Sequence, residues 1–200
     1  MPSPAEFGNN LLPVFFKLEQ MKLLIVGGGF VGWEKLTAVL TNAPQTEVKM
    51  VAKEFSREVK ELAEPHSNIT LVQKAFDPSD LDGMQLVIVG INDIPQSEKI
   101  RTACHERGLL INVADKPALC DFYLGSVVKK GDLKIAISTN GKSPTVAKRM
   151  KEFLNETIPD TIDEVLQNMN KIREKLRGDF EYKVNKLNEV TKDWKDERDE

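Results

Sequence analysis

Apolar and polar positions fall into blocks along this chain, and the period of the blocks changes twice. Residues 23–26 (LLIV), 48–52, 69–72, 85–91 (QLVIVGI) and 109–114 (LLINVA) are short, nearly continuous apolar runs. Runs of that kind suit parallel strands buried on both faces. Between them lie helix-period segments. Residues 30–41 predict a first helix that ends before Asn42-Ala43-Pro44. A second opens at Phe55-Ser56, with Val59, Leu62 and Ala63 on its inner face, and a third spans 96–107 and stops at Gly108. Residues 76–82, with Pro78 and three aspartates, predict a turn-rich connection. Strands alternating with helices over residues 23–115 predict an α/β fold, a Rossmann-like doubly wound parallel sheet. Residues 1–10 read as a loose lead-in, and 11–16 (LLPVFF) as a short edge segment, since Pro13 suits no central strand.

After residue 121 the pattern changes. Apolar stretches at 122–128 and 133–138 flank Lys129-Lys130-Gly131-Asp132 and predict a β-hairpin. Ser143-Pro144 supplies an N-cap and a first-turn proline for a helix to about residue 154, which Pro159 closes. Thr161-Ile162-Asp163-Glu164 has the form of a capping box. From Ile162 to Trp194 apolar residues recur every three or four positions, predicting a long helix or helix pair broken at Gly178. Packing or dimerisation is the simplest use of that stripe, and 192–200 reads as a solvated end. The chain thus divides into residues 1–115, a nucleotide-binding domain; 116–154, an added segment; and 155–200, a helical domain.

The glycines give the first chemistry. Gly27, Gly29 and Gly32 stand as G-x-G-x-x-G directly after the first strand and at the start of the first helix. That is the context of a dinucleotide fingerprint: a tight turn, close approach of backbone to a pyrophosphate, and close helix–strand packing. The helix N-terminus adds unpaired N–H groups and partial positive charge. The alternative is a glycine-rich turn selected only for packing. Ligands in such sheets sit beyond the carboxyl ends of the strands, which directs attention to loops 91–95 and 115–121 as well.

Composition narrows the rest. A 200-residue chain with 40% hydrophobic and 30% charged residues is that of a globular protein with a real core. A net charge of −3 gives no reason to expect nucleic acid or a membrane surface as partner. No apolar run reaches membrane-spanning length, and none has the form of a signal peptide, so a cytoplasmic protein is expected. Cys104 and Cys120 have no metal or disulfide spacing, and His66 and His105 lie far apart, so no metal site is expected.

Two stretches resemble one family. LLPVFFKLEQMKLLIVGGGFVGWEK (11–35) resembles the amino-terminal segment of siroheme synthase-type precorrin-2 dehydrogenases, and NVADKPALCDFYLGSVVKKGDLKIAISTNGKSPTVAKRMKEFL (112–154) resembles their middle segment. The second is the more specific, because ordinary dehydrogenases lack it. The resemblance is to the short stand-alone form. It implies oxidation of precorrin-2 to sirohydrochlorin by NAD⁺, with ferrous iron inserted in the same cleft by some relatives. It also implies a homodimer built on the middle segment, and carboxy-terminal helices that help wall the tetrapyrrole site.

On that resemblance Asp115, in NVADKP, matches the catalytic carboxylate, and Phe30 and Val31 match positions where backbone meets NAD. The residues alone leave open that Asp115 only caps the next turn. Lys53 and Glu54 follow the second strand, where the adenosine ribose belongs. The usual acidic residue there is displaced to Glu54, and Lys53 would tolerate a 2′-phosphate, so NAD rather than NADP rests on the family. Asn92 is either a ribose or nicotinamide contact or a turn residue. A tetrapyrrole rich in carboxylates calls for cations, offered by Lys116, Lys129, Lys130, Lys142, Lys148 and Arg149. Thr139 stands where some relatives carry serine, and Asn140 replaces a common glycine. Cys120 has no partner base and reads as buried filler rather than a nucleophile. A non-enzymatic NAD-sensing module acting through the helical tail is the competing reading.

Overall fold

In the computed structural model residues 8–190 are described. The lead-in at 1–7, the run 192–200 and the end of the apolar stripe at Trp194 lie outside them. After a 3₁₀ turn (Leu18–Gln20) come β1 (Lys22–Val26), α1 (Phe30–Asn42), β2 (Glu47–Ala52), α2 (Arg57–Ala63) and β3 (Ile69–Gln73). A 3₁₀ turn (Pro78–Leu81), β4 (Leu86–Val89), α3 (Ile94–His105) and β5 (Leu110–Val113) complete the first unit's regular structure. Its five strands are all parallel, in the order β3-β2-β1-β4-β5, so the order reverses between β1 and β4. That reversal is the topological switch point of a doubly wound sheet.

The period of two along each strand sends alternate side chains to opposite faces. Leu23 and Ile25 join Leu36, Val39, Met50 and Val59 under α1 and α2. Leu24 and Val26 join Val87, Val89, Ile100 and Ile111 under α3. Leu24, Ile25 and Val87 are wholly buried, and each such side chain contributes about 1.5–3 kcal/mol.

By internal contacts the first unit comprises residues 8–124 with 140–142, and the second the described residues of 125–139 and 143–190. In the second, β6 (Ser126–Lys130) and β7 (Leu133–Ile137) form an antiparallel hairpin. It is followed by α4 (Pro144–Thr157), α5 (Ile162–Lys175) and α6 (Phe180–Val190). Ser143 caps α4, its Oγ accepting from the Val146 N–H. Gly178, at φ 133°, lies between α5 and α6, so the long stripe is a helix pair.

Three expectations are corrected. Residues 11–16 form no strand; Pro13 lacks a donor, and Leu12 and Phe15 stand 83% and 67% exposed. The first hairpin strand starts at Ser126 rather than at residue 122, because the chain up to Phe122 is bonded to β5: Asn112 Nδ2 donates to Phe122 O (2.8 Å) and Asp121 N to Ile111 O (2.8 Å). Thr161 makes no side-chain cap, since its own backbone is helical at φ −66°, ψ −8°. Asp163 accepts instead from the hairpin's Asp132 N–H (2.7 Å) and from Gln167. No helix among the described residues is long and apolar enough to cross a membrane.

Candidate functional site

The glycine turn closes the carboxyl end of β1 at the switch point, and its neighbours on both sides explain its composition. Gly27 has φ 123°, and a Cβ there would lie 2.5 Å from Gly90 O in the loop after β4. At Gly32 a Cβ would meet Gly27 O at 2.2 Å, which fixes α1 hard against the turn. Gly28, outside the G-x-G-x-x-G spacing, is equally constrained: a Cβ would lie 2.3 Å from Glu54 O and 2.7 Å from the Phe55 ring. Its carbonyl also accepts from Ser56 N–H at 2.8 Å. The sequence reading missed Gly28; its signal was the unbroken run of three glycines.

Gly29 differs from these three. It is exposed, its φ of −89° suits any residue, and a Cβ would meet nothing within 4 Å. The fold therefore gives no reason for glycine at this position, whereas a ligand laid against the backbone does. Gly29 is the N-cap of α1 and makes no side-chain cap bond, and the first turn holds no acidic residue. The first-turn N–H groups thus meet neither a capping side chain nor a competing carboxylate. A pyrophosphate fits this cradle. Phe30 projects from it, 72% exposed, with its ring 5.5 Å from that of Trp33; Val31 is half-buried and packs near Gly90.

The other loops border the turn. Lys53 and Glu54 are exposed just past β2, and the Glu54 carbonyl lies against Gly28. Asn92 is exposed in the loop after β4; the neighbouring Asp93 caps α3, accepting from Gln96 N–H at 2.9 Å.

Asp115 follows β5 with φ 58°, a left-handed conformation that aspartate tolerates better than most side chains. It is exposed, and its carboxylate makes no hydrogen bond or ion pair among the described residues. The 3₁₀ turn that follows, Pro117–Leu119, has Lys116 as N-cap and no side-chain cap bond. Capping therefore does not explain Asp115. Lys116, half-buried, donates its N–H to Val113 O (3.2 Å). Cys120 is half-buried and burial pushes its thiol pKa up, while Val113 hydrogen bonding and Asp121 act in opposite senses. Cys104 is pushed up to about 12, chiefly by burial and also by Asp121. Both thiols stay protonated near neutrality.

The structure thus gathers Gly27, Gly29, Phe30, Val31, Gly32, Lys53, Glu54, Asn92, Asp115 and Lys116 at the carboxyl ends of β1, β2, β4 and β5. Thr139 and Lys142 lie in the loop between β7 and α4. There the Thr139 hydroxyl donates to Ser143 O (3.0 Å) and accepts from Ser143 N–H (3.3 Å), and Lys142 is exposed. Asn140 has φ 54°, so asparagine takes the conformation that a glycine would favour. The cation cluster is partly spent on the protein itself: Lys130 pairs with Asp160, and Lys148 and Arg149 with Glu152.

Comparison with known proteins bears on the chain's family and fold. An NAD(P)-binding family model matches residues 14–126, and the model for the central segment of sirohaem biosynthesis proteins matches 130–157. The chain is 29% identical over 171 residues to a siroheme synthase of Vesicomyosocius okutanii, covering 86% of this chain and 36% of that one. It is 32% identical over 166 residues to the siroheme synthase of Zymomonas mobilis, covering 83% and 35%. The chain therefore spans about a third of the length of these relatives. In fold it is similar to SirC, a precorrin-2 dehydrogenase, with a TM-score of 0.70 at 23% identity over 90% of this chain and 89% of that one. With more than half its length matched, and the glycine cradle inside the match, the chain belongs to the NAD(P)-binding family, and residues 130–157 after it match the model for the central segment of sirohaem biosynthesis proteins.

Proposed function

We propose that this chain oxidises precorrin-2 to sirohydrochlorin with NAD⁺. The observation that carries the reading is the succession, in one chain, of a dinucleotide cradle open at Gly29 and the central sirohaem segment at 130–157. Bound NAD⁺ supplies the hydride acceptor. Gly29 lets the pyrophosphate lie on the backbone, and the first-turn N–H groups of α1, at Phe30 and Val31, bind it. Gly27 and Gly32 hold the turn and helix in place behind them. Glu54 accepts from the adenosine ribose, where its charge disfavours the 2′-phosphate of NADP, with Lys53 beside it. Asn92 bonds the ribose on the nicotinamide side.

Asp115 takes the proton that precorrin-2 loses as its hydride departs. An exposed carboxylate with no partner among the described residues can accept it. Lys116, Lys142 and Thr139 meet substrate carboxylates. Residues 116–154 form a homodimer contact as well as a substrate segment, and the enzyme works in the cytoplasm. Ferrous iron is a second substrate in this reading, with Asp115 receiving the pyrrole protons that the metal displaces.

The test is reduced-nicotinamide formation from fresh precorrin-2, with NAD⁺ and NADP⁺ compared, in the native chain and in Asp115→Asn. Native turnover that falls by about 10²–10⁴-fold in a folded, NAD-binding variant is the expected result. Equal rates would remove Asp115 from the chemistry. NAD binding with no turnover in the native chain would instead favour an NAD-sensing module acting through α5 and α6. Iron insertion is followed separately, with sirohydrochlorin and ferrous iron.

A further inference from the structure

β5 is an edge strand, and the residues that follow the Asp115 loop return to lie along its free edge. Cys120 occupies the place a neighbouring strand would take beside Val113. Its Sγ accepts from Val113 N–H at 3.2 Å and, as a donor, lies 3.1 Å from Val113 O and 3.3 Å from Lys116 O. One position further, Asp121 treats Ile111 in the same way. Its N–H donates to Ile111 O (2.8 Å), and its Oδ2 accepts from Ile111 N–H (3.0 Å). The His105 Nε2 faces the same carboxylate, 3.1 Å from each oxygen. Residues 114–119 are therefore a closed loop whose two ends are both fastened to β5. Asp115, at its left-handed φ of 58°, sits at the first corner.

We propose that Cys120 and Asp121 are positioning residues for Asp115: the thiol and the carboxylate clamp the loop to β5 and so hold the Asp115 carboxylate at the strand end. A left-handed non-glycine residue persists only where its surroundings hold it there, and these bonds supply the hold. Burial supports the thiol's part, because a protonated Cys120 can donate and accept at once. The cradle at Gly29 is built from β1, β2 and β4 contacts and takes no part in the clamp. The proposal rests on the dehydrogenase reading above and concerns only its proton-accepting step.

The experiment compares native chain, Cys120→Ala, Cys120→Ser and Asp121→Asn by NAD affinity, kcat and KM for precorrin-2, and amide hydrogen exchange over residues 111–121. Cys120→Ala removes the partner of Val113 N–H, whereas Cys120→Ser keeps a group that donates and accepts. Asp121→Asn keeps an acceptor for Ile111 N–H but loses the charge facing His105.

The expected result is unchanged NAD affinity and faster exchange at Val113 and Cys120 in the alanine variant. Its kcat should fall on the order of 10–100-fold, with the serine variant restoring most of it. Asp121→Asn should give an intermediate loss. A folded Cys120→Ala that keeps native kcat despite a loosened loop would overturn the proposal. So would a parallel loss of NAD affinity with no rescue by serine, which marks general destabilisation. Absence of turnover in the native chain would fail the dehydrogenase reading itself and take the proposal with it.

Discussion

Substituting Gly29 by alanine separates what the glycine turn does for the fold from what it does for a ligand. At Gly28 and Gly32 an added methyl would meet backbone oxygen at 2.3 and 2.2 Å, so the strand, turn or helix must move. Overpacking of that kind costs about 1–3 kcal/mol, and more where only backbone can yield. At Gly29 the same methyl meets nothing within 4 Å and the φ of −89° is ordinary. Two small effects remain. Alanine is a poorer N-cap than glycine by up to about 1 kcal/mol, and it reduces the freedom of the unfolded chain by about 0.4–1 kcal/mol in its favour. They nearly cancel. Bound dinucleotide meets the methyl directly, and at least a tenfold loss of affinity, about 1.4 kcal/mol, is expected. The assay is NAD⁺ titration by calorimetry beside urea unfolding of Gly29→Ala, Gly32→Ala and the native chain. Native stability with weakened binding for Gly29→Ala, and lost stability for Gly32→Ala, is the predicted pair. Gly29→Ala binding NAD⁺ as tightly as the native chain would refute the assignment of the cradle.

Two further outcomes concern stability. Asp80 is buried, 2.8 Å from Lys49 Nζ and 2.9 Å from Lys74 Nζ, and it also accepts from Asp77 N–H. Burial alone would raise its pKa, but the bonds from Lys49, Lys74 and the Asp77 N–H outweigh it and hold the carboxyl below the ordinary value of 3.8. Its contribution is therefore complete above that pH and is lost as pH falls through the lower folded value. Asp80→Asn should cost about 3 kcal/mol in urea unfolding at neutral pH, the low end for a broken buried pair because both lysines reach solvent. It should also flatten the native loss of stability in acid. At Asn140, with φ 54°, valine should lower stability by about 1–2 kcal/mol in the same unfolding assay.

Much of the first unit was legible because local chemistry and burial agree there. The apolar runs became the five parallel strands within two residues at each end, and Gly178 separates α5 from α6 as expected. Reading failed where one residue had two possible partners. Thr161 and Glu164 had the spacing of a capping box, yet Thr161 makes no cap bond, and Asp163 between them accepts from the hairpin tip, 31 residues away in sequence. Residues 122–125 had the composition of a strand, but the chain there is drawn to β5 by Asn112 and Asp121. Cys120 read as filler because its partners, the Asn112 amide and backbone groups of Val113 and Lys116, are brought to it by the fold and carry no signature in the sequence.

The sequence by itself determined the alternation of strand and helix, the position of the glycine turn and the presence of Asp115 at the end of the fifth apolar run, since periodicity and φ preference act over a few residues. Only the tertiary structure decided which of these glycines packing requires and which it does not. That distinction depends on what lies across the gap from each Cα: Gly90 opposite Gly27, Glu54 opposite Gly28, and open space beside Gly29. The bonds of Cys120 and Asp121 to β5 were likewise set in three dimensions, because the unpaired edge of β5 exists only once the sheet has assembled.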